Sequence, residues 1–192
     1  MCCYKENGAE NLVAFVFSCP GRHEQNENRP AAKITGNNLD LLFDLLNMQL
    51  REVVFFHRST ITINNAWPHV EYNDLTGRSE ATDEEIRIDD NIERLNNELN
   101  HIDRLIVCCG NKAKLAIGMC SFTKNPKIVN IEHLGIRGLN DIEFDVSGTK
   151  IITAREAKEN GDTRAFKTIQ QENTARRLSV VCSRIIRQLE GI

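Results

Sequence analysis

The sequence predicts an α/β fold: a three-layer α/β/α sandwich around a central, mainly parallel sheet. Leu12-Val13-Ala14-Phe15-Val16 and Leu105-Ile106-Val107-Cys108-Cys109 are short continuous apolar runs that end at turn residues, the pattern of strands buried on both faces. Leu39, Leu42, Phe43, Leu46 and Leu50 recur at the three-and-four spacing of an apolar helix stripe. Strand-like and helix-like segments then alternate along the chain, which is the order of a parallel sheet covered by helices.

The first strand breaks at Phe17-Ser18-Cys19-Pro20-Gly21-Arg22-His23-Glu24, and a helix is expected from Asn38 to Leu50. Val53-Val54-Phe55-Phe56 and Thr60-Ile61-Thr62-Ile63 are β-branched or aromatic runs, the second ending in Asn64-Asn65-Ala66-Trp67-Pro68, where Pro68 stops further pairing. Residues 69–82 are polar and read as an exposed loop. Thr82-Asp83-Glu84-Glu85 has the form of a capping box, and Ile86, Ile88, Ile92, Leu95, Leu99 and Ile102 continue it as one amphipathic helix. After the Leu105–Cys109 strand and Gly110, a helix is expected over Asn111–Met119 and a strand over Lys127–Ile131, ending at Glu132-His133-Leu134-Gly135. A weaker strand is expected at Lys150-Ile151-Ile152. A last helix over Thr174–Leu189 turns Leu178, Val181, Cys182, Ile185, Ile186 and Leu189 inward.

With 192 residues, 41% hydrophobic and 27% charged, the chain is expected to form one domain over residues 1–192. The first residues have no long apolar stretch behind a basic region, and nowhere do eighteen apolar residues run together. Neither secretion nor membrane insertion is indicated, and a cytoplasmic monomer is expected. The seven cysteines form no CxxC pair, and none lies between Cys19 and Cys108, so buried thiols are expected rather than a metal site, an iron-sulfur cluster or another cofactor. The net charge of −3 argues against a generic nucleic-acid binder, but the charge is unevenly spread. Residues 71–103 carry eleven acids and three bases, residues 104–137 six bases and one acid, and residues 150–192 nine bases and five acids. Phosphate contacts need only a local basic patch, although solvated helix faces explain the same pattern.

Three strand ends meet at one edge of such a sheet: Ser18 to Glu24, Asn64 to Trp67, and Glu132 to Arg137. Ligands of open α/β sheets bind at that edge. The Ser18-Cys19-Pro20-Gly21 turn, Glu24, Arg29-Pro30 and Gly36 resemble the first motif of the uracil-DNA glycosylase superfamily, Gly-Glu-x-Pro-Gly, Glu, Gly-x-Pro-Phe and Gly. Gly110-Asn111-Lys112-Ala113 resembles its Leu-Gly-x-x-Ala, and His133 stands where that family has His-Pro-Ser. The resemblance covers about residues 12 to 140 and implies a DNA glycosylase that flips a base and hydrolyses its N-glycosidic bond. It implies that His133 stabilises the leaving base and that Asn65, or Asn64 beside it, reads the base edge. The Pro20-Gly21 turn would hold the N–H groups of the loop toward the ligand, with Cys19 beside it. The residue types suit the reaction, because bond cleavage puts negative charge on the base and positive charge on the sugar, and fixed dipoles stabilise both.

The chain departs from the family at three places. Ser18 replaces the motif carboxylate, leaving Glu24, or a water held by Ser18, to support the sugar cation. Ala31 replaces the aromatic ring that stacks on the flipped base, which forfeits roughly 1–3 kcal/mol and opens space. His133-Leu134-Gly135 replaces His-Pro-Ser, so Leu134 or Ile136 becomes the wedge that fills the vacated stack, with Arg137 on a phosphate or base. Lys112, Arg176, Arg177, Arg184 and Arg187 are further phosphate contacts. The smaller side chains fit a pocket widened for a bulky modified pyrimidine, in repair or in defence against foreign DNA. They also fit an inactive module that binds DNA or a nucleotide. A third reading is a small-molecule hydrolase with Cys19 as nucleophile, activated by His23 or His133.

Overall fold

The structure is a computed structural model that describes residues 3–50 and 55–190. Its five strands are β1 (Lys5–Glu6), β2 (Val13–Phe17), β3 (Thr62–Asn65), β4 (Leu105–Cys109) and β5 (Lys127–Ile131). They form one sheet in the order β1-β3-β2-β4-β5, in which β3, β2, β4 and β5 are parallel and the short edge strand β1 runs antiparallel to β3. The helices are α1 (Arg22–Glu27), α2 (Lys33–Gln49), α3 (Asn73–Thr76), α4 (Asp83–Ile86), α5 (Asp89–Leu99), α6 (Asn111–Met119), α7 (Ile136–Asn140), α8 (Ala154–Glu159) and α9 (Phe166–Glu190).

Alternation along the strands sorts the core into two layers. Val13, Phe15, Phe17, Ile63, Val107, Cys109, Val129 and Ile131 point to one face and pack against α2, α7 and α9. Ala14, Val16, Ile106 and Cys108 point to the other, against α4, α5 and α6. The two central strands are buried along their whole length, as their unbroken apolar runs require. The outer strand β5 alternates instead, and its edge is clipped: Asn130 N–H donates to Gln188 Oε1 and Gln188 Nε2 donates to Asn130 O, both at 3.0 Å. A side chain from α9 thus occupies backbone groups that would otherwise be an open sheet edge. The expected three-layer α/β/α class is the one observed.

The element boundaries differ in places. Helix α2 starts at Lys33, before the apolar stripe, because its first turn is anchored through the loop that precedes it. Val53 and Val54 lie outside the described residues. Phe55 and Phe56 join no strand, since Asn47 clamps Phe56 with a bond at 2.8 Å to each of its backbone groups. The helix expected from Ile86 through Ile102 is two helices with a break at Arg87-Ile88, leaving Ile88 exposed, while the Thr82–Glu85 capping box forms as read. Residues 69–82 are not simply an exposed loop: they contain α3, and Glu71 and Ala81 are buried. Lys150 makes only an isolated bridge to Phe144, and Ile151-Ile152 form no strand. Helix α9 begins eight residues before Thr174.

Candidate active site

The carboxyl ends of β2, β3, β4 and β5 open into one cleft of about 780 Å³. Phe17, Ser18, Cys19, Gly21 and Glu24 line it from the loop after β2, and Asn65 from the end of β3. Gly110, Lys112 and Lys114 enter from the start of α6, and His133, Ile136 and Arg137 from the β5–α7 turn. Ala31 and Thr35 close it on the α2 side, Ser79 and Glu80 on the other. The three segments singled out in the sequence therefore share one cavity.

His133 is the best fixed of these groups. Its ring meets Phe17 edge-on with centroids 5.7 Å apart, and its Nδ1 accepts the Gly135 N–H at 2.9 Å. A backbone N–H can only donate, so Nδ1 carries no proton and the hydrogen of the neutral ring sits on Nε2. Burial pushes the imidazole pKa below its ordinary 6.5, against the opposing pull of the Glu24 and Glu80 charges. The ring is thus a neutral donor. Two glycines let the backbone close around it. A Cβ on Gly138 would lie 2.3 Å from the His133 carbonyl oxygen and 2.9 Å from its Cβ, and Gly110, at φ +96°, is 3.3 Å from the same Cβ.

Asn64 and Asn65 sit on a strand, so they face opposite ways. Asn64 Nδ2 donates to Glu98 Oε2 at 3.0 Å, on the α5 face, and its Oδ1 accepts the Asn65 N–H. Asn64 is therefore not a cleft residue. Asn65 is, with Nδ2 donating to the Tyr4 carbonyl at 3.1 Å and Oδ1 without a partner among the described residues.

The loop after β2 is braced by two charged side chains. Glu24 accepts from Gly21 N at 3.1 Å through Oε2 and from Ala32 N at 3.0 Å through Oε1. Arg58 donates to the carbonyls of Pro30 and Ala31. This clamp holds Ala31 at φ +46°, buried against the cleft, and explains why α2 begins so early. It also occupies both oxygens of Glu24, the expected substitute carboxylate, and takes the Gly21 N–H that was expected to face a ligand; Pro20 does not line the cleft.

Other expected contacts are reassigned. Leu134 is fully buried in the core and its carbonyl accepts from Asn38 Nδ2 at 2.7 Å, so it is not a wedge; Ile136, 57% exposed, is the apolar side chain at the cleft rim. Arg137 stands exposed at the rim. Lys112 lines the cleft but pairs with Asp83. Arg176 pairs with Asp145, Arg184 with Glu132, and Arg177 is buried with Nε donating to the Ile142 carbonyl, so these three serve the fold. Arg187 stays exposed. Lys114, which the sequence reading passed over, joins the basic side of the cleft.

No family model matches the sequence, and no curated protein matches it. The chemistry of the cleft accordingly rests on its own geometry.

Two further groups lie beside the cleft, one on its wall and one behind it. Cys19 is largely buried, and burial raises its thiol to about 11, with Glu71 and Glu80 adding to the rise. It is protonated at neutral pH and is a poor nucleophile. Burial likewise raises Cys120 and Cys182 to about 11 and Cys108 to about 12. Treatment with iodoacetamide at pH 7 is expected to leave the function of the folded protein unchanged; rapid loss on modification of Cys19 would restore the thiol reading. Among the described residues, no three His, Cys, Asp or Glu side chains are grouped to hold a metal ion, and no helix is long and apolar enough to cross a membrane.

The second group is Glu71, whose side chain is 3% exposed. Its carboxylate receives Arg78 Nε at 2.8 Å and Trp67 Nε1 at 3.3 Å, while Arg78 also reaches Glu85. The Arg78 guanidinium holds its pKa down at about 2, from an ordinary 4.5. A depressed carboxylate stabilises the fold above its unfolded pKa and loses that contribution as pH falls toward its folded one. Between pH 5 and 3 the wild type should therefore lose about 2 kcal/mol more stability than Glu71→Gln, read by urea unfolding. Equal losses would show that the pair is not formed in solution.

Proposed function

We propose that the protein is a DNA glycosylase that flips a base from the duplex and hydrolyses its N-glycosidic bond. The observation that carries this reading is a neutral, fixed His133 that lines the same cleft as Asn65, with no partner among the described residues for Nε2 of the one or Oδ1 of the other. Departure of a base leaves negative charge on the base, and a preoriented donor in a partly dry site stabilises that charge far better than water does. An amide oxygen beside it can read an N–H on the edge of the extruded base. Ile136 is the side chain that would fill the vacated stack, and Arg137 and Lys114 the cations that would meet phosphates.

Ala31 supports a substrate larger than uracil. At the position where the resembled family has an aromatic ring it presents a single methyl group, held by the Glu24 and Arg58 clamp. A pyrimidine carrying a bulky substituent would meet no ring there. Repair of damaged DNA and defence against modified foreign DNA both suit such a specificity.

A second reading, a module that binds DNA or a nucleotide without cutting it, is favoured by Ser18 in place of a carboxylate and by the full engagement of Glu24. Duplex and single-stranded oligonucleotides carrying uracil, other deaminated bases and bulky modified pyrimidines separate the two. Abasic sites, revealed by alkaline strand cleavage, are expected for at least one base. Tight binding with no abasic site for any of them would leave the non-catalytic module.

A further inference from the structure

A cation developing on the sugar needs an anion close by, and the residue that follows β2 is a serine. Ser18 is 8% exposed, and its hydroxyl donates to Glu80 Oε2 at 3.3 Å across 62 positions of sequence. Glu80 is an exposed residue at the wall of the cleft, and no hydrogen bond or ion pair reaches its Oε1 from the described residues. Its place is fixed from both sides: Arg78 is tied to Glu71 and Glu85, while Ala81 is buried immediately before the Thr82 cap of α4. The other carboxylates of the cleft are differently engaged. Each oxygen of Glu24 accepts a backbone N–H, Glu132 is paired with Arg184 through Oε1 while its Oε2 is buried without a partner among the described residues, and Asp141 follows the far end of α7. Glu80 and His133 line the same cleft, and Glu80 is tied to the residue after β2.

We infer that Glu80 supplies the carboxylate that β2 lacks, swung in from the 77–81 loop and held over the cleft by the Ser18 hydroxyl. The inference rests on the glycosylase reading above. In the reaction the C1′–N bond breaks and its electron pair leaves with the base, stabilised by the Nε2–H of His133. The sugar becomes cationic beside the Glu80 carboxylate. A water oxygen then bonds to C1′, its proton passes to Glu80 and on to solvent, and the base anion takes up a proton from solvent. One water is consumed for each base released. Glu80 is the catalytic carboxylate, and Ser18 positions it.

Single-turnover abasic-site formation with enzyme in excess tests this, using the base that wild type releases. Glu80→Gln is expected to slow the step roughly 100- to 1000-fold while DNA affinity, read by fluorescence anisotropy, changes less than about threefold. Glu84→Gln, on the exposed face of α4, should behave as wild type. Ser18→Ala should lower the rate without altering affinity, and should have no further effect in the Glu80→Gln background, since it acts through that carboxylate. Full activity in Glu80→Gln, or an undiminished effect of Ser18→Ala in the double variant, overturns the assignment of Glu80 and leaves the glycosylase reading standing. A wild-type protein that releases no base from any oligonucleotide overturns both.

Discussion

Replacing His133 with Ala is expected to slow base release by roughly 100- to 1000-fold, the loss typical of removing one preoriented donor from a site of developing charge. DNA affinity should be nearly unchanged, because the Nε2–H bond strengthens only as the base departs. The pH profile gives a second signature. Protonation at Nδ1 would set its new N–H against the Gly135 N–H that it now accepts, breaking the bond that orients the ring. Burial holds the imidazole below 6.5, so the rate should stay level through pH 7 and decline only below 6.5. The charges of Glu24 and Glu80 oppose the shift, and with it the further acidward movement of this decline. Undiminished base release in His133→Ala, measured in single turnover, would remove the histidine from the chemistry.

The second large effect is expected at Gly138→Ala, which touches no ligand. A methyl group there would sit 2.3 Å from the His133 carbonyl oxygen, and neither partner is a flexible side chain. The β5–α7 turn has to shift, and the imidazole with it. Misplacing a reacting group by about 1 Å costs on the order of 100-fold in rate, and overpacking of this kind costs about 1–3 kcal/mol of stability. Gly118→Ala is the control: a Cβ there has nothing within 4 Å, so this exposed position of α6 should gain about 0.5–1 kcal/mol of stability and leave activity alone. If Gly138→Ala is as active and stable as wild type, the close packing of α7 on His133 is not what orients the ring.

The parts of the fold that could be read from the sequence are those governed by local pattern. β4 and α6 have the expected bounds because an unbroken apolar run meets a glycine and then a helical stripe. The capping box at Thr82 forms for the same local reason. The convergence of Ser18, Asn65 and His133 also follows from local signals, since each lies at or just past the carboxyl end of a parallel strand. What escaped detection depends on partners distant in sequence. The pleat decides between Asn64 and Asn65, but only once the register of β3 is known. Leu134 reads as a loop residue until Asn38, on α2, takes up its carbonyl. Glu24 looks like a free acid until Gly21 and Ala32 occupy it, and Glu80 belongs to a polar stretch with no motif; only the approach of Ser18 marks it. The early start of α2 was likewise hidden, because Arg58 and Glu24 brace its first turn rather than a capping residue within it.

The claim beneath all of these is that the cleft holds an extruded base between His133 and Asn65. The most direct measurement is a crystal structure with DNA in which the sugar of the susceptible nucleotide carries a 2′-fluorine, which disfavours the cation and blocks release. The account predicts the base rotated out of the stack, with one oxygen within hydrogen-bond distance of His133 Nε2, an edge N–H on Asn65 Oδ1, and Ile136 at the gap in the duplex. A base still stacked in the helix with DNA bound away from the cleft would contradict it.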